Sequence, residues 1–137
     1  DADDRALGIA YAEAGDPRAS AFLRKAQPAD AEVQLRLAVL EHDPARAVAF
    51  YRSVLESDAA NTTALVNLGA IYAAAGRPDE AASLWKRALE TNPAIEGAAL
   101  NLSRVLPPAE ARDVLDRYLS FNPGSSAARA RREELRR

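Results

Sequence analysis

The sequence predicts an all-α chain of short helices folded back on one another as antiparallel hairpins, and three observations carry that expectation. All eight prolines fall between stretches of helical apolar spacing and none inside one, where a residue with fixed φ and no N–H is tolerated. No stretch alternates apolar and polar residues over strand length. Alanine, the best helix former, makes up about a quarter of the chain, so the helices can approach closely around a thin core.

Reading between the prolines gives nine helices, near residues 3–14, 17–27, 29–41, 44–57, 62–75, 78–91, 94–106, 108–121 and 125–136. Asp16-Pro17, Asp43-Pro44, Asn92-Pro93 and Asn122-Pro123 read as N-caps followed by first-turn prolines. Pro28 separates the second helix from the third. Gly15 and Gly76 stand where a helix ends in the left-handed conformation. Short connections between successive helices mean hairpins.

The spacing repeats. Residues 62–95 read Leu65-x2-Leu68-Gly69-x2-Tyr72, then Ala81-x3-Trp85, then Pro93. Gly69 and Ala81 would let two helices touch, with Leu68, Tyr72 and Trp85 filling the space around the contact. Looser copies flank this unit: Leu7-Gly8-x2-Tyr11 with Ala19-x3-Leu23, Leu35-x3-Val39 with Ala47-x3-Tyr51, and Leu102-x3-Leu106 with Ala111-x3-Leu115 and Pro123. The last copy is one helical turn short, because Leu106 runs into Pro107-Pro108. Arg36 and Ser103 stand where the glycine would be. Residues 125–136 form a lone terminal helix of the kind that caps such arrays.

The best copy resembles the tetratricopeptide repeat (TPR), a pattern of about 34 residues, at every marked place except the first, where Leu65 replaces tryptophan. The resemblance implies a right-handed superhelix, an α-solenoid of about four TPR-like repeats (near 1–28, 29–61, 62–95 and 96–125) plus the capping helix. It also implies a single domain over residues 1–137 that binds another protein or peptide. A chain with no methionine whose first residue lies in a helical pattern reads as a piece of a longer protein.

The composition argues against other classes. A formal net charge of −2 gives no long-range attraction for nucleic acid. No apolar run reaches the length of about 18 residues that a membrane-spanning helix needs, so the expectation is a soluble protein of cytoplasm or periplasm. The absence of cysteine excludes disulfides and thiolate chemistry. No phosphate loop, dinucleotide fingerprint, nucleophile elbow or zinc-helix motif occurs, so no catalytic residue, metal or cofactor is expected. His42 reads as a solvated residue at a helix end. Tyr11, Phe22, Phe50, Tyr51, Tyr72, Trp85, Tyr118 and Phe121 read as packing residues. The arginine-rich stretch 129–137, five arginines against two glutamates, reads as a solvated terminal helix favoured by its own dipole. Asn61-Thr62-Thr63 and Asn101-Leu102-Ser103 match the glycosylation tripeptide, with Asn101 inside a predicted helix.

In proteins of the resembled family the first helix of each repeat lines a concave groove that takes ligand peptides. Carried over, that groove would present Val33, Leu37, Val66, Asn67, Ala70, Leu100, Asn101 and Arg104. Asn67 and Asn101 hold equivalent places, and each amide can either grip an extended backbone or bond to an adjacent helix. The family's clamp for a chaperone's terminal carboxylate needs cations and a second amide where this chain has Val33, Leu37, Gly97 and Asn101, so that ligand is not expected. A neutral, mildly apolar groove is. The alternative reading is a structural spacer or a unit that self-associates as a homo-oligomer.

Overall fold

The computed structural model describes residues 2–26 and 30–136; the proposed break at Pro28 lies outside them. Among the described residues there are nine helices and no strand: α1 Ala2–Glu13, α2 Ala19–Lys25, α3 Ala31–Leu40, α4 Pro44–Ser57, α5 Thr62–Ala74, α6 Pro78–Thr91, α7 Glu96–Val105, α8 Pro108–Phe121 and α9 Ser126–Glu134. None of them is long and apolar enough to cross a membrane. They group into two compact units, Asp1–Ala59 and Ala60–Arg137.

Local chemistry sets the helix boundaries. Pro44, Pro78 and Pro108 each sit in the first turn of a helix, where the missing N–H costs nothing. Asp43 caps α4 by accepting from the Ala45 N–H. Gly15 and Gly76 adopt φ of 68° and 77°, the left-handed exit that side chains disfavour. The other Asx-Pro pairs behave differently from the sequence expectation. Asp16 and Asn92 bond to the N–H two residues on, Arg18 and Ala94, which closes a turn around each proline. Helices α2, α7 and α9 therefore start later, and Ser125 rather than Asn122 caps α9.

In the first unit, Ala19, Leu23, Ala26, Val33 and Leu37 form the buried cluster, with Ile9, Tyr11, Ala12 and Phe50 against it. Gly8 packs so tightly on α2 that an added Cβ would lie 2.9 Å from the Leu23 backbone N. Arg5 of α1 donates to Asp30 at 2.8 Å and Glu32 at 2.6 Å, tying α1 to the start of α3. The equivalence drawn for α3 fails. Val39 is 58% exposed, and Arg36 reaches Glu13 and Glu32 instead of filling a glycine's place. The buried side of α3 is Val33, Leu37 and Ala38, so counting back along the chain from the best repeat puts the wrong side of α3 in the core.

The second unit keeps the register. On α5, Ala64, Leu65, Leu68, Gly69 and Tyr72 are buried; on α7, Ala98, Ala99, Leu102 and Ser103 take the corresponding places. Between α5 and α6, Gly69 meets Trp85: a Cβ added there would lie 2.5 Å from Trp85 Nε1. That indole N–H donates to the Val66 carbonyl at 3.1 Å, so the ring is both wedged and tethered.

Helix α9 docks through its arginines. Arg131 donates to the Ser103 carbonyl at 2.9 Å, Arg132 to Asp116 at 2.6 Å. Glu96 at the start of α7 accepts from the Tyr118 hydroxyl and from Ser125 Oγ. The outer positions of α9 include Arg129 and Glu133, both exposed. Their counterparts on α5 are Leu65 and Gly69, so α9 is charged where α5 packs. Phe121, counted from sequence among the packing residues, is 52% exposed at the end of α8.

Two outcomes are expected. Gly69→Ala should destabilise by about 1–3 kcal/mol through overpacking, while Gly124→Ala, which meets open space, should change stability by under about 0.5 kcal/mol; urea denaturation reads both. Asp16 is held at about 2, below its ordinary 3.8, by the side-chain and backbone hydrogen bonds of Arg18. A lowered folded pKa favours this turn above 3.8 and loses that contribution as pH falls through about 2. Carboxyl NMR titration should find that low midpoint, and Arg18→Ala should raise it towards 3.8.

Candidate functional site

Within the second unit, Ala70 and Ala73 of α5 face Asn101, Arg104 and Val105 of α7 across a recess of about 220 Å³, with Trp85 also in its lining. The alanines make it wide, because their side chains end at Cβ. The indole is held from below by Gly69 and the Val66 carbonyl, which gives the recess a fixed apolar wall. On the α7 side, Arg104 donates from Nη1 to Asn101 Oδ1 at 3.0 Å, a pairing that the three-residue spacing on one helix face permits. That hydrogen bond orients the guanidinium while leaving its other N–H groups for a ligand.

The residues proposed from sequence divide into three groups. Ala70, Asn101 and Arg104 line the recess together. Val66 and Asn67 lie half-buried one turn earlier on α5. Leu100, Val33 and Leu37 do not line the recess. Leu100 packs against the cluster of Ala99, Leu115, Tyr118 and Ala128. Val33 is fully buried and Leu37 is 7% exposed, both in the core of the first unit. Trp85 and Val105 are additions. Trp85 reads from sequence as a core residue, and it is one, yet its edge also reaches the recess. Val105 falls in the last turn of α7, which closes on Pro107-Pro108.

What this surface offers is an apolar wall, a flat floor of alanine, one amide and one oriented cation. Such a set can hold an extended or helical segment by backbone hydrogen bonds and small side chains, with a preference for a carbonyl or carboxylate oxygen near Arg104.

Residues 38–102 match the tetratricopeptide repeat family. No curated protein matches the sequence. Among solved structures, a tetratricopeptide repeat protein from Parabacteroides merdae aligns over 98% of the chain with a TM-score of 0.82 at 21% identity. The chain spans 59% of the length of that protein. MamA in its AMB-1 form aligns over 96% of the chain and 84% of its own, with a TM-score of 0.77 at 24% identity. The MSR-1 form gives 0.76 at 23%, over 96% of the chain and 82% of its own. At these identities the likeness is one of fold.

Burial separates the core residues from the recess residues energetically. Leu37→Ala should cost about 2–5 kcal/mol as a core deletion, whereas Arg104→Ala, on an exposed position, should stay within about 0.5 kcal/mol of the parent. Thermal and urea unfolding of the two variants checks the assignment.

Proposed function

The chain carries tetratricopeptide repeats, a fold that generally serves protein–protein interaction, and from that premise we propose that its α5–α7 face binds a peptide or a protein segment. The observation that carries the reading is the recess itself: Ala70 and Ala73 opposite an Asn101–Arg104 pair, walled by an anchored tryptophan. Asn67 and Asn101 supply amides at corresponding places on α5 and α7, suited to gripping a backbone without reading its side chains. The ligand is a segment with small apolar side chains and an oxygen acceptor beside Arg104. The work is holding a partner, not transforming it, and the first unit belongs to the same interaction domain.

A random-peptide display selection against the intact chain supplies a ligand, and Ala70→Arg then tests the site. Residue 70 is exposed, so the substitution should leave the thermal unfolding midpoint unchanged while filling the recess. Binding of the selected peptides, followed by fluorescence anisotropy, should fall at least about tenfold, or 1.4 kcal/mol. Peptides that bind the Ala70→Arg chain as well as the parent would place the ligand elsewhere.

A further inference from the structure

A recess in the first unit, between α2 and the end of α3, has the make-up of a small-molecule site. It encloses about 240 Å³, less than the roughly 300–1,000 Å³ typical of drug-sized ligands, so its occupant is small. Leu37 and Leu40 give it an apolar wall, and Ser20, Arg24, Glu41 and His42 bring polar groups to it. Asp16 also reaches the lining, but Arg18 engages both of its carboxylate oxygens.

The remaining polar groups are under-used. The Ser20 hydroxyl and the His42 ring make no hydrogen bond among the described residues, and Arg24 has one contact there, Glu41 at 3.6 Å. That distance is too long for a hydrogen bond, so the guanidinium keeps its N–H groups for a ligand. The Glu41 side chain is 10% exposed, and its one hydrogen bond comes from the Asp43 N–H at 3.2 Å. A carboxylate can accept about four, and one so enclosed is ordinarily better satisfied.

We propose that this recess binds a free α-amino acid with an apolar side chain the size of leucine. The charge pattern selects it. One cation and one carboxylate stand side by side, so a lone carboxylate would meet Glu41 and a lone amine would meet Arg24. An α-amino acid carries both charges on one carbon. Its carboxylate accepts from Arg24, Ser20 and His42, its ammonium donates to Glu41, and its side chain lies on Leu37 and Leu40. Bridging by a zwitterion turns a loose ion pair into charge-assisted hydrogen bonds on both sides. A peptide segment carries neither charge on its backbone, so this ligand is distinct from the one assigned to the α5–α7 face.

Titrating the full chain with leucine, and following its backbone amides by NMR, tests this. The shifts should saturate with a Kd of about 1 mM or tighter and centre on residues 16–24 and 37–42. Isocaproate lacks the ammonium, isopentylamine lacks the carboxylate and glycine lacks the side chain; each should bind at least about tenfold more weakly. Arg24→Gln and Glu41→Gln should weaken leucine binding by a similar factor. The Arg24 side chain is 61% exposed, so its variant keeps the fold whatever Glu41→Gln does. Ala70→Arg should bind leucine like the parent. Shifts that do not saturate, shifts centred elsewhere, isocaproate binding as well as leucine, or an Arg24→Gln chain that binds like the parent each overturns the proposal.

Discussion

The second unit depends on one close approach, that of Gly69 to Trp85. With no Cβ at residue 69, α5 and α6 come near enough for the indole to lie across the α5 backbone, and its N–H takes up the Val66 carbonyl at 3.1 Å. A large aromatic in a tight hairpin is stable only when its polar atom finds a partner. Here the partner is on the facing helix. The same contact brings the indole edge to the recess between α5 and α7, so the interaction that closes the hairpin also builds the wall of the candidate site.

The neighbouring hairpins solve the same steric problem with other residue pairs. In the first, Gly8 faces Leu23 with similar closeness. In the last, Ser103 stands at the glycine's place and Leu115 at the tryptophan's, and Leu115 packs in a cluster with Ala99, Tyr118 and Ala128. Ser103 then bonds to the Leu100 carbonyl at 2.6 Å and accepts from Arg131 Nε. A position that serves close packing in one repeat thus becomes an attachment point for α9 in the next. The terminal arginines, which read from sequence as a solvated charge run, are in part the fastening of that helix.

Helix identities, the first-turn prolines of α4, α6 and α8 and the left-handed glycines were legible because each rests on a local rule. So was the α5–α6 hairpin, where every spaced position carries its own steric reason. The candidate recess was legible on α5 and α7, whose shared spacing puts Ala70, Asn101 and Arg104 along it. It was not legible on α3. There Val33 and Leu37 lie in the core of the first unit. Nothing in local propensity announces that orientation. Leu100 misleads for a different reason: α9 docks against the cluster it joins, a contact set by tertiary packing rather than by spacing.

The size match between residues 69 and 85 sets the hairpin and seats the wall of the recess. A double-mutant cycle between Gly69→Ala and Trp85→Leu measures that directly by urea denaturation. The 2.5 Å approach of a residue-69 Cβ to the indole predicts strong coupling: once leucine replaces the tryptophan, the added methyl at 69 should cost little. Additive costs, within about 0.5 kcal/mol, would contradict the claim.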